Sequence, residues 1–486
     1  MFKNYIVTAI RNMIRQKLFT AINILGLAVG IAASILVTIY VRYDMSFDQH
    51  WSKLDSIYRA DMKFLGNPQF TSRYNKVSGQ AQNAYLQTFP EDIEAAARVR
   101  HLPALVKVAN SGFDENMSWT DADITRIFDF EIIAGDLNAV LQGLHGVAVS
   151  QSFAEKYFGE ENPIGQTLDV SVAKLKRDYK IGAVFKDMPE TSTLQVQTLA
   201  RIDEEAFQTP NYIIKNWGST SVEQYLLLKD SGAADRIRAG TTAMLDRFVP
   251  DDENKGSRKF AYELAPFSDF HLHWVGGSEM SRMGQLSILI AIAAALIIIA
   301  SINFINLATA RSIRRAQEVA LRKVLGAERR QLIGQFLVES CLTVLVSLFV
   351  ALAIVEASLP AFSGFLEVGL SFNMFEAFWL GTSLLIVLFV GLVAGAYPAL
   401  VVSGWRPAFV LHANKSSETK GSVRLRQILV TCQFIASIIL MVVTFSVYGQ
   451  SQYSLNIDPG FERENLMVVQ ALSRDELSGK RLLLAE

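Results

Sequence analysis

Apolar Ile6, Ile10 and Ile14 recur at intervals of four near the start of the chain, with Lys3, Arg11, Arg15 and Lys17 around them. This spacing over residues 1–18 fits an amphipathic helix lying on a membrane surface, or simply a charged flank. An unbroken apolar run over 19–41 follows. Crossing a bilayer takes roughly 20 apolar residues, so this run predicts a membrane span. It is longer than the apolar part of a secretory signal and no small-residue cleavage site follows it, so it is expected to stay as an anchor. Further spans are predicted at 284–309, 336–359, 378–402 and 427–449.

Between the first two spans lies a long polar stretch, residues 42–283. Strand-like runs such as "GVAVS", "YKIGAVF" and "EQYLLLK" alternate there with helical pieces such as "SFAEKYF" and "GAADRIRAGTTAMLDRF". Turn signals such as "GEENPIG" separate them. The expectation is an α-helical membrane protein of about five spans carrying one large mixed α/β domain.

Composition agrees with that division. Half of the 486 residues are apolar and the net charge is −1. Mean hydropathy is +0.24, too high for a typical soluble protein and too low for spans alone. Cys341 and Cys432 both lie in apolar tracts, so no disulfide framework or cysteine zinc site can be argued. The near-neutral charge and the lack of a recognition motif give no reason to expect nucleic acid.

Charge sets the expected orientation. Seven basic residues stand between Arg311 and Arg330, offset by Glu318 and Glu328 alone. The segment 403–426 holds Arg406, Lys415, Lys420, Arg424 and Arg426, whereas 360–376 has no Lys or Arg. The N-terminus, the loop 310–335 and the linker 403–426 are therefore expected in the cytoplasm of a bacterial inner-membrane protein, with the large domain, the loop 360–377 and the segment 450–486 outside.

Gly26 and Gly30 in the first span, and Gly391 and Gly395 in the fourth, are pairs spaced by four. Such pairs let helices approach closely in lipid, although a Gly-rich helix also produces them by chance. Pro398 is expected to kink or end the fourth span. His271 and His273 in "HLHW" share a face if the segment is a strand, but no Cys is nearby and no Asp or Glu is placed to complete a site, so a structural role is expected.

"VAVSQSFAEKYFGEENPIGQTL" resembles the periplasmic core domain of MacB-type ABC transporter permeases, through Ser150, Ala154, Lys156, Tyr157, Phe158, Gly159, Asn162, Pro163, Ile164 and Gly165. "FDQHWSKLDSIYR" and "AVFKDMPETSTL" resemble the same family, in the same order. Gly159 and Gly165 suit turns that need a positive φ, and Pro163 fixes the turn between them. No residue of this motif looks catalytic.

The basic loop is similar to the cytoplasmic segment of the same permeases, also called FtsX-like. The matching positions are Arg314, Glu318, Arg322, Lys323, Gly326, Ala327, Arg329 and Glu339. In that family the segment is a coupling helix that contacts an ATP-binding subunit. The residues alone support a short helix with an apolar stripe at Leu321, Val324 and Leu325, broken at Gly326. They also fit a plain orientation signal that touches lipid headgroups. Glu339 near the membrane needs a partner, and Arg322 or another base of the loop is the expected one.

No phosphate loop of the form Gly-x-x-x-x-Gly-Lys-Ser/Thr occurs. The resemblance therefore implies a permease without its own ATPase site, no cofactor of its own, and ATP bound by a separate subunit. It further implies movement of the outer domain driven by that subunit. The expected task is export of a peptide, toxin or antibiotic through a periplasmic adaptor and an outer-membrane channel, or release of a lipoprotein. An FtsX-like regulator of a cell-wall hydrolase is the alternative. The last span resembles the first in layout, with Lys17 and Arg426 at corresponding places, so a second repeat is expected to begin near Arg424 and to be truncated at Glu486.

Overall fold

A computed structural model of the chain describes residues 2–65, 73–108, 111–172, 175–207, 216–249, 260–273, 281–314, 316–404 and 420–458. These fall into two compact units, one of residues up to Tyr43 with Leu286 onward, the other spanning Asp44–Gln285.

The first unit is helical. Helix α1 (Phe2–Arg15) leads into α2 (Lys17–Met45). Ala9 is buried on α1 while Ile10 and Ile14 are exposed. Helices α2, Arg282–Ala310, Arg329–Leu366, Ala377–Ala396 and Arg426–Asn456 are each long and apolar enough to cross a membrane. Their common core includes Leu27, Ile31 and Ile35 of the first with Phe304, Val344, Leu348, Val355 and Val390 of the others. The fourth helix runs on to Gly404, straight through Pro398. A proline removes one N–H from the ladder, and in an apolar medium the backbone gains more by continuing as helix than by exposing further polar groups. The helix thus continues past Pro398, while the apolar span within it is Ala377–Ala396.

The second unit is a mixed α/β domain built on one eleven-stranded sheet. Its strands are β1 (Ile57–Phe64), β2 (Arg73–Tyr74), β3 (Ile93–Val108), β4 (Ser111–Thr120), β5 (Ile132–Gly135), β6 (Gly146–Ser150), β7 (Thr167–Val172), β8 (Leu175–Phe185), β9 (Thr198–Arg201), β10 (Glu223–Leu228) and β11 (Phe260–Pro266). The order is β11-β1-β10-β3-β4-β9-β6-β8-β5, with β2 on β1. Strand β7 pairs with both β3 and β8. The strands β3-β4-β9-β6-β8-β7 therefore close into a ring. Alternate residues of each strand face its inside, among them Val106, Met117, Trp119, Val147, Val149, Val170 and Ile181. There the Trp119 Nε1–H donates to the Tyr179 hydroxyl at 3.1 Å.

The segment "HLHW" is not a strand. Pro266 ends β11, Phe267 is buried in the core, and the chain then turns into the helix of Phe270–His273. A proline cannot extend a strand ladder, which accounts for the break. Phe270 lies 3.4 Å from the buried Arg59 guanidinium. His271 bonds through Nε2 to Asp44 at 3.0 Å and stacks on Phe47. A carboxylate therefore does meet His271, from a position far away in sequence. Among the described residues no group of three or more His, Cys, Asp or Glu is placed to hold a metal.

Candidate functional site

Two places gather the residues that the sequence singles out. The first is the segment after the second span. We label four helices found after α2: α3 (Gln151–Phe158), α4 (Arg282–Arg314), α5 (Ala316–Val324) and α6 (Arg329–Leu366). Helix α5 stops in a Schellman motif. The Ala327 N–H donates to the Arg322 carbonyl at 2.9 Å and the Gly326 N–H to Lys323 at 3.0 Å. Gly326 has φ +97°, a conformation open to glycine and strained for a residue with a Cβ. Immediately afterwards Glu328 caps α6 in a reciprocal box with Gln331, whose side chain accepts the Glu328 N–H at 3.2 Å. The corner between the two helices is thus fixed by backbone and side-chain bonds on both sides.

The inner face of α5 buries Val319 and Ala320. Val319 packs with Leu332 and Phe336 of α6. Its outer face presents Leu321, Val324 and Leu325, which are 56%, 67% and 80% exposed. Arg322 Nη1 donates to the Gln335 side chain at 2.7 Å, one turn before Glu339. Glu339 is buried in α6, and its carbonyl accepts the Thr343 hydroxyl at 2.9 Å. Partial burial, reinforced by the nearby Arg329, holds Lys323 below the usual lysine range. Ala327 lies in the corner, and Arg329 opens α6. The side chains of Arg314 and Glu318 lie outside the described residues. Gln335 and the Glu328–Gln331 box were not singled out from the sequence. The box had a local signal, since an acidic cap three residues before Gln is a helix-start pattern.

The glycine pairs sit where helices touch. A Cβ on Gly30 would lie 2.7 Å from the Ala300 Cβ of α4, and one on Gly26 would lie 3.2 Å from the Asn303 side chain. On the fourth span, Gly391 meets Cys341 and Gly395 meets Ser340 of α6, each at 2.7 Å from the would-be Cβ.

The second place is the motif of the outer domain. Ser150 caps α3 by accepting the Phe153 N–H. Asp187 braces the same helix start, accepting from the Ser152 N–H and hydroxyl, the latter at 2.6 Å. Burial pushes the Asp187 carboxyl up, but the bonds from Ser152 and Ser150 outweigh it and leave the group below the usual range. Helix α3 ends at Gly159 with φ +58°, and Gly165 has φ +90°. Asp48 accepts the Thr193 N–H at 2.7 Å and the Thr193 hydroxyl. Its burial raises the carboxyl above the ordinary range against those bonds. The three separated motifs are therefore parts of one bracing system, and that system holds the fold.

Residues 20–243 match the model of the MacB-like periplasmic core domain, and residues 290–404 match that of the FtsX-like permease C-terminal domain. The chain belongs to the MacB/FtsX-type ABC transporter permeases. The "Uncharacterized ABC transporter permease YknZ" of Bacillus subtilis (strain 168) is 21% identical over 361 residues, covering 71% of this chain and 83% of that protein. Two solved structures resemble part of this permease. A permease domain from Porphyromonas gingivalis is 21% identical with a TM-score of 0.38, over 44% of this chain and 91% of that one. The periplasmic region of MacB from Actinobacillus actinomycetemcomitans is 14% identical with a TM-score of 0.30, over 43% and 87%. Most of the α/β domain falls inside the part matched by the MacB-like periplasmic core domain, and α5 inside the FtsX-like part.

Proposed function

We propose that this permease couples ATP hydrolysis by a separate ATP-binding subunit to movement of its outer domain. Helix α5 is the docking element, with Arg314, Glu318, Arg322, Lys323, Gly326, Ala327, Arg329 and Glu339 forming the docking segment and its mount. The observation that carries the reading is the outer face of α5. Leu321, Val324 and Leu325 are exposed on a short helix whose ends are fixed and whose inner face is packed. A rigid apolar stripe flanked by bases suits insertion into a groove with acidic surroundings on another protein. The clustering of Lys323 with Arg329 favours such a partner, because an acidic rim would relieve their repulsion.

The basic flanks of the spans favour a cytoplasmic N-terminus and α5 in a bacterial inner membrane, with the outer domain in the periplasm. Movement passed through the spans would then act on a periplasmic substrate. Export of a peptide, toxin or antibiotic through an adaptor and an outer-membrane channel fits the family, as does release of a lipoprotein. The permease carries out no chemistry itself and takes ATP's work from its partner.

The test is co-purification with an ABC-type ATP-binding subunit, followed by an ATPase assay in native-like membranes. Arg322→Glu should keep membrane insertion and lose most of the stimulated ATPase. Undiminished stimulation in that variant would sink the reading. Recovery of a cell-wall hydrolase in place of an export adaptor would replace export with regulation.

A further inference from the structure

The first 41 residues contain no Asp or Glu, and their cations Lys3, Arg11, Arg15 and Lys17 form no ion pair among the described residues. Lys17 lines an open apolar groove of about 520 Å³, within the size range of small-ligand sites. Ile10 and Ile14 of α1 with Lys17 and Ile24 of α2 form one side, and Leu342 and Val346 of α6 the other. Lys17 is the charged member of a lining that is otherwise apolar except for Thr20. The buried Glu339 does not line the groove, so no carboxylate opposes an incoming anion there.

The groove exists because α1 and α2 meet at a corner. Helix α1 stops at Arg15, and α2 starts at Lys17. The Thr20 hydroxyl donates back to the Met13 carbonyl at 3.2 Å, and the Thr20 N–H to Gln16 at 3.0 Å. Across from the corner, Tyr5 of α1 lies against α6 at Gly334. Helix α1 is thereby held on α6 at one end, while the corner stands off Leu342 and Val346.

We infer that this groove binds one anionic phospholipid, with an acyl chain along Ile14, Ile24, Leu342 and Val346 and the headgroup phosphate on Lys17. The occupant follows from two properties on the same site. An apolar crevice on a spanning bundle takes a hydrocarbon chain, and an unpaired cation at its rim selects a negative headgroup over a zwitterionic one. Arg15, two residues earlier, adds to the same field. A bound lipid would also cover the exposed Ile10 and Ile14 and fix the angle between α1 and α2.

Native mass spectrometry of the purified full chain tests this, with phosphatidylglycerol and phosphatidylcholine of identical acyl chains as probes. A single cation near the surface contributes roughly fivefold to anionic-lipid binding. The wild type should retain one phosphatidylglycerol with at least about fivefold preference over phosphatidylcholine. Lys17→Gln should reduce that preference to near parity and leave phosphatidylcholine binding as it was. Ala21→Trp, which puts bulk into the lining, should weaken both lipids. Equal retention of the two lipids by the wild type would overturn the proposal, and so would an unchanged preference in Lys17→Gln. Should Ala21→Trp fail to fold, the surface variant Lys17→Gln decides alone.

Discussion

Arg322 reaches across the Gly326 corner and donates to the Gln335 side chain at 2.7 Å, so α5 is held to the start of the third span by a side-chain bond as well as by packing. On the proposed coupling, motion of α5 would pass to α6 through this bond. Gln335→Ala should keep the complex with the ATP-binding subunit and lower substrate-dependent ATPase stimulation several-fold. An ATPase assay on the reconstituted complex measures this, and unchanged stimulation would mean that the bond carries no coupling.

Gly30 and Gly26 make a graded test of span packing. Overpacking costs typically about 1–3 kcal/mol where nothing can move. A Cβ on Gly30 meets Ala300 at 2.7 Å, whereas one on Gly26 meets a movable Asn303 amide at 3.2 Å. Gly30→Ala should therefore lower the unfolding temperature in detergent clearly more than Gly26→Ala. The opposite ranking would contradict the contact of α2 with α4.

The layout of both units was legible in the sequence, and the contacts between distant segments were not. Apolar runs located the spanning helices, because a bilayer leaves few other ways to satisfy the backbone. Gly159 and Gly165 could be read as turns because few other residues tolerate their φ. By contrast, β7 closing the ring between β3 and β8 leaves no local trace, since pairing partners are chosen by tertiary packing. The same holds for Asp48 with Thr193 and for Asp44 with His271. The stripe at Leu321, Val324 and Leu325 was visible as a period, but whether it faced α6 or open space needed the fold. The bond from Arg322 to Gln335 likewise depended on the corner geometry.

The closed ring predicts a cost for losing one buried hydroxyl. Tyr179→Phe leaves the Trp119 N–H without its acceptor in an apolar interior. A buried donor left unsatisfied costs about 1–3 kcal/mol. The outer domain should lose that much stability by denaturant unfolding, with membrane insertion unaffected. A neutral effect would show that water or another group reaches Trp119.

Asp187 makes the outer domain sensitive to acid. Its carboxyl titrates below the usual value because Ser152 and Ser150 bond the charged form. A depressed acid supports the fold above the ordinary carboxylate value of about 3.9, and this support is lost as pH falls through the lower folded value. Asp187→Asn should destabilise the domain at neutral pH and flatten its loss of stability below about pH 4. Thermal unfolding followed across that range checks both parts. A variant as stable as wild type at pH 7 would show that Asp187 does not brace α3.

If the outer face of α5 docks an ATP-binding subunit, a cross-link from that face should capture it. Leu325→Cys, at the most exposed position of the stripe, should form a cross-link to the ATP-binding subunit in native membranes when a short thiol-to-amine reagent is added. A cysteine at Gly381 in the fourth span, where a Cβ meets open space, should not. Strong cross-linking through Leu325→Cys alone is the predicted result. Equal labelling from both positions, or labelling from neither while the complex still co-purifies, would contradict the assignment of α5 as the docking element.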